Sequence, residues 1–407
     1  MNNNKKISQA VIFAGGLGER LKPFTLTNPK PMYPINGVPF IEYLVKQIKS
    51  FGINEIVILL GYLPEKVTEY LGDGSKYGVK INYSITPVEC ETELRLKGAK
   101  DLLHDNFLMM YCDNLCPINF NKLVENYFKH NAYIEFSAYS NEDDYTKNNL
   151  KIDDNGKVLV YDKKRVTEGL KGVDIGYAIV SKKVIDYMDD ENNNFEAIVY
   201  PKLVNEGKLF ATVTRHRYYS IGSFARIELT NAYLSGKKYI FLDRDGTTNV
   251  RPKKAEYIVK PSDFVWLDGA KEAIKMLNDA GYFIIMISNQ AGIARGVMTT
   301  NDFENVQNKM KSELAEIGAH IDAVYYCPHG WDDNCECRKP KPGMLYKAQK
   351  DYSINLTECV MIGDDERDII TAHNADMKGM LVTDTYKLID AVKDVINNNI
   401  KDYEVKI

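Results

Sequence analysis

The stretch FLDRDGTTN (241–249) sets two carboxylates, Asp243 and Asp245, two positions apart directly behind an apolar run. Strand alternation points both side chains the same way, and because the chain turns here both can face a site at the strand's C-terminal end. The plain alternative is an Asp-rich surface turn. Two more apolar runs end in polar groups: IMISNQAG (285–292) in Ser288 and Asn289, and VMIGDDERD (360–368) in Asp364. CRKPKPGM (337–344) adds Arg338 and Lys339. Carboxylates gathered with a hydroxyl and a fixed cation suit a divalent metal acting on an anionic substrate. Asp365 reads as the acidic first turn of a helix; Asp368 fits that role and a metal-supporting role equally well.

The segment CPHGWDDNCECRKPKPGM (327–344) crowds cysteines and a histidine just before that Arg and Lys. Cys327 and His329 leave one apolar run, and Cys335 and Cys337 return after a short loop. Four such ligands fill a tetrahedron and leave no position for water, so the expected zinc is structural, pinning the loop that delivers Arg338 and Lys339. Unmetallated thiols and a disulfide are the alternatives. Seven cysteines in 407 residues do not make a disulfide scaffold.

A third chemistry-bearing run is VIFAGGLGERLKPFTLTNPKPMYPI (11–35). Gly15, Gly16 and Gly18 let backbone N–H groups approach a triphosphate closely, and Arg20 and Lys30 neutralise it.

The elements that must position these groups are short apolar runs separated by amphipathic stretches. In the first half the runs are 10–14, 55–62, 79–84 and 106–112, with helices expected over 40–51 and 64–71. The pattern restarts at 237–243 and continues through 283–288, 323–327, 358–363 and 378–382. Strand alternating with helix implies parallel sheets covered on both faces. The length allows two domains, 1–236 and 237–407, with the boundary near Gly236. A net charge of −4 and no basic tract give no reason to expect nucleic acid. No signal peptide or membrane-spanning run is evident, so a cytoplasmic protein without a membrane partner is expected, with a homo-oligomer left open.

Asp243, Asp245, Ser288, Lys339 and Asp364, in their order and settings, resemble the haloacid dehalogenase superfamily of phosphohydrolases. The resemblance implies that Asp243 attacks phosphorus, that Asp245 is acid and then base, and that Ser288 and Lys339 hold phosphoryl oxygens. Mg²⁺ would sit on Asp243, Asp364 and the backbone carbonyl of Asp245. DRDGTxN, SNQxGIARG and CPH…CxCRKPKPGM look like the heptose bisphosphate phosphatases, which lack a large cap; Arg338 and Asn289 would then meet substrate. The zinc-binding histidinol-phosphate phosphatases share much of this pattern.

The run G-G-x-G-x-R-L-x-P-x-T-x-x-x-P-K-P resembles the sugar-phosphate nucleotidyltransferases. That implies a mixed sheet in a Rossmann-like domain, Mg²⁺ on Asp113, sugar phosphate on Lys163 and sugar near Asp174. Two departures stand out. ETELRLKGA (91–99) replaces a small-residue loop, with Glu91 and Leu94 where glycines are usual, so the base pocket is reshaped or blocked. Ser220 stands where an acidic second metal ligand is usual. The expectation is a bifunctional enzyme using sugar phosphates and an NTP, with GTP favoured because no HxGH motif of the ADP branch occurs. A silent nucleotide-sugar-binding first domain that regulates the phosphatase is the rival, and a scaffold for partner enzymes a more distant one.

Overall fold

The computed structural model describes residues 6–189, 191–253 and 255–405, and the chain divides into two compact units, Met1–Leu234 and Ser235–Ile407. The strands of the first unit are β1 (Gln9–Ala14), β2 (Glu55–Leu60), β3 (Lys80–Ile85), β4 (Asn106–Tyr111), β5 (Ile134–Tyr139), β6 (Val173–Ser181) and β7 (Leu209–Thr214). They form one sheet in the order β7-β5-β6-β4-β1-β2-β3. Its helices include α1 (Phe40–Ser50), α2 (Pro64–Leu71), α3 (Thr92–Gly98), α4 (Phe120–His130) and α5 (Phe195–Glu206).

The unbroken apolar run of β1 follows from burial on both faces. Ala10, Ile12 and Ala14 enter one core, while Val11 and Phe13 enter the other. All neighbouring pairs are parallel except those of β6, which runs antiparallel to both β4 and β5. Helix–strand alternation alone implies parallel pairing. It fails at β6 because the chain returns there through a two-stranded ribbon, Leu150–Ile152 with Val158–Tyr161, and not through a helical crossover.

The second unit has β8 (Lys238–Asp243), β9 (Tyr282–Asn289), β10 (Ala323–Cys327), β11 (Val360–Gly363) and β12 (Lys378–Leu381), all parallel, in the order β10-β9-β8-β11-β12. Its helices are α6 (Ala270–Asp279), α7 (Thr300–Ala315), α8 (Gly343–Tyr352), α9 (Glu366–His373) and α10 (Leu388–Ile396). Ile240 and Leu242 of β8 pack into one core and Phe241 into the other. The chain leaves β8 toward β9 and later returns to its other side at β11. The C-terminal end of β8 is therefore a topological switch point, where a crevice opens. No sizeable cap domain is inserted among the described residues. No helix among them is long and apolar enough to cross a membrane.

Candidate active sites

Three parallel neighbours bring their polar ends together in the second unit. Asp243 ends β8, Ser288 is the penultimate residue of β9, and Asp364 follows β11 directly. Lys339 arrives from the cysteine-rich loop, its ammonium 2.5 Å from Asp243 Oδ1 and 2.6 Å from Asp368 Oδ1. Asp243, Asp364 and Asp368 each offer an oxygen within 4.8 Å of the others. Burial pushes the Asp243 carboxyl up to about 7 despite the pull of Lys339, and pushes Asp364 up to about 6 despite Arg251. Three carboxylates against the Lys339 ammonium and the half-exposed Arg251 guanidinium leave excess negative charge, and Asp364 Oδ1 is buried without a hydrogen-bond partner among the described residues. A divalent cation fits that deficit.

Two local features make the convergence possible. Gly246 has φ +100°, and a Cβ there would lie 1.9 Å from Asp364 Oδ2, so only glycine lets the turn after β8 approach β11. Asp365 caps α9, accepting from the Arg367 N–H, and Asp368 Oδ2 accepts in return from the Asp365 N–H. Asp368 therefore serves both as helix cap and as a site carboxylate beneath Lys339.

Asp245 stands apart from the carboxylate group. Both its oxygens accept from Arg244, and Asn249 and Gln290 donate as well. Burial works to raise its pKa, but the fully buried Arg244 and these donors outweigh it and hold the carboxyl below its ordinary range. That environment favours the ionised carboxylate, the opposite of what a proton donor needs. Gln290 also donates to Ser288 Oγ, tying acid and hydroxyl together. The Asn289 amide exchanges hydrogen bonds with the Lys339 backbone, 3.1 and 3.2 Å, so it sets the position of that lysine while lining the cavity. The cavity, about 1030 Å³, is lined by Asp243, Asp245, Ser288, Asn289, Arg338 and Lys339 among others. Arg338 Nη1 is buried there without a partner among the described residues.

Cys327, His329, Cys335 and Cys337 form the second metal-capable group. The sulfurs of Cys327 and Cys335 are 3.5 Å apart, as are those of Cys335 and Cys337. His329 Nδ1 is 3.2 Å from Cys337 Sγ and 3.7 Å from Cys327 Sγ. Zinc–sulfur bonds of ~2.3 Å give tetrahedron edges of about 3.8 Å, close to this spacing. All seven cysteines are free thiols.

In the first unit the glycine-rich turn after β1 and Asp113 after β4 meet because β1 and β4 are parallel neighbours. Gly15, Gly16, Gly18, Arg20, Lys30 and Asp113 line a cavity of about 550 Å³. The Lys30 ammonium pairs with the Asp113 carboxylate. The unusual loop forms α3, and Glu91, Thr92 and Arg95 of this stretch line the cavity. Its Arg95 turns under the glycine turn and donates to the carbonyls of Gly15, Leu60 and Val88 and to Thr86 Oγ1. A Cβ on Gly15 would lie 2.4 Å from that guanidinium. Ser220 pairs in a short ribbon opposite Asn114, and the next N–H donates to the Asp113 carbonyl. It thus flanks Asp113 without adding charge.

Lys163 and Asp174 lie outside the lining of that cavity and gather instead around Glu196. Lys163 Nζ is 3.2 Å from Glu196 Oε2, to which Tyr161 also donates. Burial, then the Glu196 charge, push the Asp174 carboxyl up to about 8. Sequence reasoning missed Arg95, Arg244, Gln290 and Glu196. Arg244 and Gln290 stand inside quoted motifs, whereas nothing in the sequence signals that Glu196 reaches Lys163.

Fold and sites together define a nucleotidyltransferase-type unit and a phosphohydrolase unit of the haloacid dehalogenase type. The family described as Nucleotidyl transferase matches residues 9–268, and that described as Polynucleotide kinase 3 phosphatase matches 238–385. A D-glycero-beta-D-manno-heptose-1,7-bisphosphate 7-phosphatase of Haemophilus ducreyi is 38% identical over 163 residues, spanning 38% of this chain and 88% of that protein. One from Helicobacter pylori is 37% identical over 150 residues, 37% of this chain and 85% of its own. The chain belongs to the nucleotidyl transferase family and, through its second unit, to the family of these phosphatases. Among solved structures, HddC from Yersinia pseudotuberculosis in complex with GMP-PN covers 55% of this chain and 97% of its own at 24% identity, TM-score 0.46. The D,D-heptose 1.7-bisphosphate phosphatase from B. bronchiseptica, complexed with magnesium and phosphate, covers 40% and 99% at 30% identity, TM-score 0.37.

Proposed function

We propose that this chain performs two consecutive steps of nucleotide-activated heptose synthesis. The second unit removes the 7-phosphate of D-glycero-D-manno-heptose 1,7-bisphosphate. The first unit joins the resulting 1-phosphate to a nucleotide, taken as GMP from GTP, releasing pyrophosphate. The observation that carries the reading is the buried Asp243–Lys339–Asp368 group beside Asp364, set in a segment closely similar to phosphatases of that name.

Lys339 holds a phosphoryl oxygen and keeps Asp243 aligned for attack. Asp243 forms a bond to phosphorus as the ester oxygen leaves with a proton from Asp245. Asp245 then takes a proton from water, which releases phosphate and restores Asp243. Asp243, Asp364 and the Asp245 carbonyl would hold Mg²⁺, with Asp368 close by, and the cation supplies the charge neutralisation that lets a carboxylate meet a dianion. Cys327, His329, Cys335 and Cys337 would hold a structural zinc that fixes the loop bearing Arg338 and Lys339.

Incubation with the heptose bisphosphate and each NTP in turn, following phosphate and pyrophosphate separately, tests the reading. Phosphate should appear first, and pyrophosphate only with the accepted NTP; absence of phosphate overturns it. The ETELRLK loop and the neutral Ser220 favour a second reading, a silent nucleotide-sugar sensor. Under that reading pyrophosphate never appears, and nucleotide-sugar changes the phosphate rate.

A further inference from the structure

Five cationic side chains line the phosphatase cavity together with five carboxylates, Asp243, Asp245, Glu256, Asp365 and Asp368. Arg251, Arg338, Lys341 and Arg367 line it in addition to Lys339, and only Lys339 is buried between Asp243 and Asp368. Two of the others form one unit. Arg367 Nε and Nη2 donate to the two oxygens of Asp365 at 2.8 and 2.9 Å, and Arg251 Nη2 donates to Asp365 Oδ2 at 2.9 Å. Arg251 Nε reaches Asp364 Oδ2 at 3.2 Å. One carboxylate thus orders two guanidiniums that remain 45% and 51% exposed.

Fixing two long side chains at an exposed rim gains little stability by itself. It does pre-pay the entropy of an anion seat. Guanidiniums donate in forks that match phosphate oxygens, and the donors not spent on Asp365 or, for Arg251, on Asp364 remain for a ligand. The seat adjoins the reaction centre: Arg251 reaches Asp364, while Arg367 is held on Asp365.

We propose that Arg251 and Arg367, held by Asp365, seat the phosphate that is not hydrolysed and so select bisphosphorylated sugars over simple monoesters. This rests on the bisphosphate reading above and goes further by assigning the residues that impose it. Arg251 is a rim residue outside the four phosphohydrolase motifs, and Arg367 reads in the sequence only as part of an acidic-rich helix start.

The test compares kcat/KM for the heptose bisphosphate with that for p-nitrophenyl phosphate, in wild type, Arg251→Gln, Arg251→Lys and Arg367→Gln. Thermal melts confirm that each variant is folded. The ratio should fall about tenfold in Arg251→Gln and Arg367→Gln, through KM and not kcat, with Arg251→Lys in between. A wild type that prefers the bisphosphate while the variants keep its ratio overturns this assignment alone. An equal loss on both substrates also overturns it, since the arginines would then act on the reacting phosphate. A wild type without preference for the bisphosphate overturns the functional reading itself.

Discussion

The Lys339 ammonium and the Asp243 carboxylate lie 2.5 Å apart with their side chains only 5% and 8% exposed, joined across 96 positions of sequence. Breaking a buried ion pair by removing one partner leaves an uncompensated charge, typically costing about 3–5 kcal/mol. Under the proposed function each partner also meets the reacting phosphate, so loss of either should act on rate as well as on stability.

Under the proposed mechanism Asp243→Asn removes the attacking oxygen. Phosphate release should fall at least ~10³-fold, as losses of covalent catalysts do, while any pyrophosphate release in the first unit persists. Separate assays of the two products check this; parallel loss of both would contradict independent sites.

Asp368→Asn keeps a cap for α9 but removes the second anion under Lys339. Phosphatase activity should drop about 10–100-fold, the range seen when a group supporting a metal site is lost. Titrating activity against Mg²⁺ should show the half-saturating concentration shifted upward. A curve that superimposes on wild type would leave Asp368 as a cap alone.

Cys335→Ser removes one corner of the sulfur–nitrogen group. Elemental analysis should show close to one zinc per chain in wild type and a marked loss in the variant. Phosphate release should fall with it, because Lys339 rides on the same loop, and pyrophosphate release should not. Wild-type protein purified without zinc would refute the structural metal.

Arg95→Met removes the guanidinium's bonds to the carbonyls of Gly15, Leu60 and Val88; the first two keep the N–H groups of Tyr62 and Thr86, so the loss falls mainly on Val88. Buried groups left without partners cost about 1–3 kcal/mol each before relaxation. Urea unfolding should show a lower midpoint, and the NTP KM should rise because Arg95 braces the turn that contacts phosphates. An unchanged KM would confine Arg95 to folding.

Asp174 gives a pH signature. Its folded pKa, about 8, lies above its ordinary 3.8, so the native chain holds a proton that the unfolded chain has released. Stability from this group is therefore fully present below pH ~4 and declines as pH rises toward 8. Asp174→Asn should melt several degrees above wild type at pH 8.5, with the gap narrowing toward pH 5. Parallel melting curves across that range would rule the effect out.

The sequence alone determined what is local. Apolar runs specify the strands, and the residues just beyond them, Asp243, Ser288 and Asp364, sit at C-terminal strand ends because parallel strands all finish on one side. The cysteine and histidine spacing likewise foretold a four-ligand group, since its members lie within a single loop. What only the tertiary structure decided depends on contacts between distant segments: Asp368 doubling as cap and anion, Arg95 folded beneath Gly15, Glu196 pairing with Lys163 and its charge acting on Asp174, and Arg251 meeting Asp365. Helical or strand period fixes which way a side chain leaves its own backbone. What it meets there is set by strand order and loop path, which periodicity does not encode.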